Sequence, residues 1–186
     1  VKSKHEQRQL ARERRRVISD DERGFWNQLI FERAHKFKAF QLAKVVHLYR
    51  SSPEEVWTDP LFEYAWATGK RTIVPVVDGN ELIHVEVDQT TTWTTGAFGI
   101  REPLDRARVV DLRTVQGLVM YVPMVAFDAR CNRIGYGKGY YDKLLSSVSA
   151  ISIGLAYECQ RVVAVQHEAH DVALDCVVTE HRLYVP

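Results

Sequence analysis

Between Arg133 and Asp142 the chain reads RIGYGKGYYD. Three glycines alternate there with a tyrosine and a lysine, and two further tyrosines and an aspartate follow. Alternating glycines let a backbone take positive φ without steric cost, and consecutive N–H groups can then converge into a concave anion site. Lys138 adds a cation to such a concavity. Asp142 lies within one helical turn of it and offers oxygen to a hard metal. Amides, lysine and carboxylate together suit a site for a nucleotide's phosphates and their magnesium. Glycines in a loop also serve as plain turns, and the lysine and the neighbouring acid tip the reading toward phosphate.

Other chemistries have less support. No G-x-x-x-x-G-K-[ST] occurs, and G-x-G-x-G is not the G-x-G-x-x-G of dinucleotide-binding folds. There is no Gly-x-Ser-x-Gly elbow, and no cysteine has a placed histidine partner, so nucleophilic hydrolysis is not indicated. His167 and His170 are three apart in His167-Glu168-Ala169-His170-Asp171. No matching third ligand accompanies them for zinc, and an all-oxygen Mg²⁺ site using Asp142 and Asp171 fits better. What remains is phosphoryl transfer, in which a protein mainly positions groups and neutralises charge.

These residues need elements to hold them. The spacing predicts a helix over residues 2–17, with Lys4, Arg8, Arg12 and Arg16 stacked on one stripe. A solvated face is the ordinary reading of Arg12 and of Arg14 to Arg16. Ser19 and Glu22 form a capping box that starts a second helix. Strands are expected at Lys44–Tyr49, Thr72–Val77, Leu82–Val87, Leu118–Val122, Ala150–Ala156 and Ala173–Val178. Asp78-Gly79 marks a hairpin turn. Asp59-Pro60 reads as the N-cap and N1 of a helix stopped by Gly69. A further helix follows the glycine motif at Gly139–Ser147, and residues 88–99 read as loop. Strands alternating with helices argue for a mostly parallel α/β sheet, with ligands at the carboxyl ends of its strands. Glu55, Phe127–Asp142 and Tyr157–Asp171 all follow predicted strands and are expected to gather at one rim.

The 186 residues fit one domain without staples. A net charge of +1 gives no global field toward nucleic acid or membrane, and no apolar run reaches the length of a membrane span. Three widely spaced cysteines read as reduced thiols in a cytosolic protein. The arginine-rich start also carries Glu6, Glu13, Asp20 and Asp21, which argues against a transit peptide.

The run from Val122-Pro123-Met124-Val125-Ala126-Phe127-Asp128 through Asn132 to Asp142 resembles the 5-formyltetrahydrofolate cyclo-ligase (methenyltetrahydrofolate synthetase) family, with its P-x-x-A/G-F-D…R-L/I-G-x-G-x-G-Y-Y-D segment. Lys4 to Arg8 is similar to the family's N-terminal K-x-x-x-R, and Ile100-Arg101-Glu102-Pro103 to its I-x-E-P turn. Ile153–Glu158, His170-Asp171-Val172 and Val178-Thr179-Glu180 are similar to its C-terminal third.

The resemblance implies a single-domain, three-layer, Rossmann-like and mostly parallel sheet over residues 1–186. It also implies ATP as co-substrate, Mg²⁺ as cofactor and 5-formyltetrahydrofolate as substrate. The expected enzyme is a cytoplasmic monomer that needs neither nucleic acid nor membrane. Lys4, Arg8, Arg133, Ile134, Gly135, Tyr136, Gly137, Lys138, Gly139, Tyr140 and Tyr141 match the ATP contacts. The part from Tyr136 to Tyr140 also reaches folate. Lys138 and Tyr136 are expected to act in catalysis, Lys138 by offsetting charge on the transferring phosphoryl group. Asp142 and Asp171 match the magnesium carboxylates. Glu55 matches a substrate glutamate that accepts from pterin N–H groups. Arg50 matches a substrate position by spacing alone. Phe98 falls where the family has an aromatic, with an ordinary core role as the alternative. Cys131 and Ile134 depart from the glycine and leucine frequent in the family. Other readings are an ATP-dependent enzyme acting on a different N-formyl or amide oxygen, and a non-catalytic nucleotide- or RNA-binding protein.

Overall fold

The computed structural model describes residues 2–96 and 99–186. Two capped helices open the chain, α1 (Lys4–Arg16) and α2 (Asp20–Ala34). Each begins on a reciprocal capping box. Ser19 Oγ accepts from the Glu22 N–H at 3.3 Å, and Glu22 returns a carboxylate oxygen to the Ser19 N–H at 3.1 Å. Two orphan donors at each helix start are satisfied in this way. A short α3 (Lys38–Leu42) leads into β1 (Val45–His47). Then come α4 (Asp59–Ala67), β2 (Arg71–Asp78) and β3 (Glu81–Val87), followed by a small pair, β4 (Trp93–Thr95) and β5 (Arg101–Pro103). After β6 (Leu118–Val122), the hairpin β7 (Ala126–Phe127) and β8 (Arg133–Ile134) precedes α5 (Tyr140–Ser147). The chain closes with β9 (Ala150–Leu155), β10 (Cys176–Val178) and β11 (Leu183–Tyr184).

Seven strands form one sheet in the order β11-β10-β9-β6-β1-β2-β3. The five from β10 to β2 run parallel, and β11 and β3 are added antiparallel at the edges. Residues 118–122 are buried throughout, as expected of a strand covered on both faces. Their alternation sorts the core. Val119 and Tyr121 pack with Ile30, Phe40 and Phe62 beneath α2, α3 and α4. Leu118, Met120 and Val122 pack with Leu144 of α5 on the other side. Helix, sheet and helix make the expected three layers.

The order of strands reverses between β6 and β1, so the crevice at their carboxyl ends is the topological switch point where ligands bind in open α/β sheets. Three local expectations are corrected. Thr58, not Asp59, is the N-cap of α4. The Thr58 hydroxyl donates to the Tyr49 carbonyl at 2.6 Å, and the Asp59 carboxylate is held by Arg50. The stretch read as loop after Asp88 contains β4, whose partner β5 was read as a turn. The hairpin β7–β8 and the short α3 and β11 were too brief to show a period.

Candidate functional site

A cavity of about 670 Å³ opens at the switch point. Five parts of the chain supply most of its wall. Tyr49, Arg50, Ser52 and Glu55 follow β1, and the glycine segment joins β8 to α5. Pro75, Val77 and Leu82 supply an apolar side from β2 and β3. Lys4, Arg8 and Arg12 come from one stripe of α1. Glu168, His170 and Asp171, from the segment before β10, complete it. Of the rim foreseen from the sequence, Glu55, residues 133–142, Glu168, His170 and Asp171 line the cavity, and residues 127–132 and 157–167 do not.

The glycine segment is held from both ends. β8 pairs with β7, matching Arg133 with Phe127, and Gly139 caps α5 at φ 69° and ψ 7°. Gly137 has φ 96°, which a side chain would strain. Gly135 is not among the positive-φ glycines; its carbonyl accepts from Arg8 Nε at 2.8 Å. Lys138 is exposed on the cavity wall, with no hydrogen-bond or ion-pair partner among the described residues.

Two cation–carboxylate pairs lie at the phosphate-suited end. Lys4 Nζ meets both Asp171 oxygens, at 2.7 and 2.9 Å, and Glu168 at 3.0 Å. Burial disfavours the Lys4 charge, but the bonds to Asp171 and Glu168 outweigh it and raise its pKa. For Asp171, burial pushes upward and the bond from Lys4 prevails, leaving the carboxyl below its usual range. Arg133, 6% exposed, donates to Asp142 at 2.8 Å and to the Val172 carbonyl. Glu168, His170 and Asp171 bring ligand atoms within 4.8 Å of one another; Asp142 is not part of that group.

At the other end Glu55 is 6% exposed and held twice. Its Oε2 accepts the Ser52 N–H at 2.7 Å, and its Oε1 accepts the Tyr136 hydroxyl at 2.7 Å. Burial first, and then the Glu55 charge, push the Tyr136 phenol well above its ordinary pKa, so it stays a donor at neutral pH. The buried Tyr141 hydroxyl has no partner among the described residues. Arg50 is 8% exposed and sandwiched between Trp93 at 3.8 Å and Phe62 at 4.1 Å, and it is paired with Asp59. Its Nε has no partner among the described residues. Phe98 lies outside the described residues.

The sequence reading missed two arginines by assigning them to a solvated face. Arg12 lines the cavity with its guanidinium 5.4 Å from the Tyr136 ring centroid, and Arg15 is 2% exposed. The four-residue spacing from Lys4 and Arg8 already pointed to Arg12.

Comparison with known proteins is consistent along the chain. The family model described as "5-formyltetrahydrofolate cyclo-ligase family" matches residues 1–180. A 5-formyltetrahydrofolate cyclo-ligase of Escherichia coli K12 is 29% identical over 182 residues, covering 94% of this chain and 99% of that protein. One from Haemophilus influenzae is 34% identical, covering 71% of this chain and 73% of that protein. The solved 5,10-methenyltetrahydrofolate synthetase of Aquifex aeolicus is 33% identical with a TM-score of 0.84, over 98% of this chain and 92% of that one.

Proposed function

The chain belongs to the 5-formyltetrahydrofolate cyclo-ligase family, and from that premise we infer that its cavity closes 5-formyltetrahydrofolate to 5,10-methenyltetrahydrofolate, driven by ATP. The observation that carries the reading is that the glycine segment and Glu55 border one cavity and touch through Tyr136. A segment suited to phosphate and an acid suited to a pterin are thus neighbours. The basic stripe of α1 supports the same conclusion. Its residues Lys4, Arg8 and Arg12 face the cavity, which takes them from the surface that RNA binding would need.

In this reading the triphosphate lies along residues 133–141, with Lys4, Arg8 and Arg12 as its cations. The pterin lies against Pro75, Val77 and Leu82 with its N–H groups toward Glu55, and Arg50 borders the same end. The formyl oxygen on N5 attacks the terminal phosphorus and ADP departs. Lys138, on the cavity wall and unpaired among the described residues, offsets charge as the phosphoryl group transfers. N10 then attacks the activated carbon. Phosphate leaves with the former formyl oxygen, and N10 loses its proton. An amide-like oxygen is a poor leaving group, and phosphorylation makes it a good one. Because both nitrogens belong to one bound molecule, the ring closure is intramolecular and avoids a large entropic barrier. Tyr136 keeps its proton and serves by orienting Glu55.

Asp142 and Asp171 fit Mg²⁺ as hard oxygen donors on the cavity wall, each already holding a cationic side chain. Bound there, the ion would neutralise phosphate charge. Glu168 lies beside Asp171 and can assist. No helix among the described residues is long and apolar enough to cross a membrane. The reading includes a single domain that works as a monomer.

The test is the rise of methenyl absorbance when the protein meets ATP, Mg²⁺ and 5-formyltetrahydrofolate. A flat trace with all three present would overturn it. Turnover of another N-formyl compound in its place would favour a relative with a different substrate.

A further inference from the structure

We propose that Arg15 is a positioning residue whose contact with Tyr136 commits the tyrosine's proton to Glu55, and that this three-residue relay couples nucleotide binding to folate binding. The inference rests on the reading of function given above and concerns Arg15, which that reading leaves without a role.

Arg15 lies one turn beyond Ala11 on the buried face of α1. Its Nη2 is anchored to Glu54 Oε2 at 3.1 Å, and its carbonyl accepts from Arg23 Nη2 at 3.1 Å. Arg23 also donates to the Glu54 carbonyl at 3.0 Å, so Arg15 and the backbone beside Glu55 are tied to the same group. Arg15 Nη1 then reaches the Tyr136 oxygen at 3.4 Å. That is long for a hydrogen bond, and its main effect is a fixed cation beside the phenol oxygen. A guanidinium can only donate. The Tyr136 oxygen must therefore present a lone pair to Arg15, and its one proton points elsewhere. The acceptor it finds is Glu55 Oε1 at 2.7 Å.

Two consequences follow. Glu55 is oriented by Ser52 and Tyr136, yet each carboxylate oxygen keeps acceptor capacity for a ligand. And Tyr136 sits between Gly135 and Gly137, so a change at Glu55 is felt by the glycine segment itself. A ligand that orders one end of the relay orders the other. By linkage, folate and ATP then strengthen each other's binding by the same factor.

The experiment measures the Kd of 5-formyltetrahydrofolate with and without a non-hydrolysable ATP analogue and Mg²⁺. Wild type is expected to bind folate about 10-fold more tightly with the analogue, within the usual range of coupling. Tyr136→Phe, which removes one oxygen and little volume, should bring that ratio close to one. Arg15→Met should do the same and raise the KM for folate by a larger factor than it lowers kcat. Arg15→Lys should restore part of the ratio. Circular dichroism and Tm identify any variant that has lost its fold, and Tyr136→Phe decides if Arg15→Met has. An unchanged ratio in folded Tyr136→Phe, or a wild-type ratio of one, overturns the relay. Absence of methenyl product from wild type would instead overturn the reading of function.

Discussion

Replacing Glu55 with glutamine tests the folate end of the site. The carboxylate accepts two donors of 2.7 Å, one on each oxygen. A glutamine amide has one oxygen. If that oxygen stays with the Ser52 N–H, the amide NH₂ faces the Tyr136 hydroxyl, whose oxygen already presents a lone pair to the Arg15 guanidinium at 3.4 Å. Tyr136 can relieve this by turning its proton toward the cavity, whose wall it forms. The fold should therefore lose little, roughly 1 kcal/mol or 2–4 °C in Tm for a chain of this size. Folate should lose far more. The side chain would meet pterin N–H groups with an NH₂ where a charged acceptor stood. Hydrogen bonds to charged groups are worth about 1.5–3 kcal/mol, which is roughly 10- to 150-fold in kcat/KM for folate. The assay is methenyl absorbance at varied folate and saturating ATP, with the KM for ATP measured in parallel. If kcat/KM for folate moved by less than about 2-fold, or only the ATP parameters changed, Glu55 would not be a folate acceptor.

Three other perturbations separate the remaining roles. Lys138→Ala should lower kcat by roughly 100- to 1,000-fold, the usual cost of removing one group that stabilises charge developing in the transition state, while changing folate KM little; equal losses in both would contradict the role. Asp142→Asn should raise the Mg²⁺ concentration needed for half-maximal rate, and it also removes the charge opposite the buried Arg133, so stability should fall with it. An unchanged magnesium titration would exclude Asp142 as a ligand. Glu158 offers a pH test away from the site. Burial pushes its carboxyl upward, but donors from Tyr184, Thr179 and Arg161 prevail and hold it below its ordinary value. A depressed carboxyl gives stability that is full above the unfolded pKa of about 4.3 and is lost as pH falls through the folded value. Glu158→Gln should accordingly flatten the acid side of the Tm–pH curve below about pH 5, and superimposable curves would refute the linkage.

What was legible in the sequence follows a physical line. The capping box at Ser19 and the all-buried strand at residues 118–122 are set by local chemistry or by uniform burial, and they stand where expected. The glycine segment was legible because few residue types tolerate its backbone. Arg12 was legible only as a position on the stripe, and Arg15 was not legible at all. A helix whose buried face reads Gln7, Ala11 and Arg15 looks inside out until its partners are known. Those partners, Tyr136 and Glu54, lie 121 and 39 residues away from Arg15 in sequence. Asp59 failed as an N-cap for a similar reason, since its charge is taken by Arg50.

The polar face of α1 also explains how the site is assembled. The switch point between β6 and β1 supplies a crevice, but the sheet contributes mainly an apolar side and Glu55. Charge for a triphosphate must come from outside the sheet. α1 supplies it in three successive turns: Lys4 reaches Asp171, Arg8 reaches the Gly135 carbonyl and Arg12 lies over Tyr136. About 6 Å of helix rise separates each from the next, so the stripe spans roughly 12 Å from the magnesium-suited carboxylates toward Glu55. Arg15 continues the series one residue short of the next stripe position, and that offset turns it inward to the Tyr136 hydroxyl and away from solvent. Arg16, on the stripe itself, remains exposed and pairs with Glu54 at 3.4 Å. In the proposed function, one helix thus provides both the cations for a nucleotide and the fixed charge beside the tyrosine that holds Glu55.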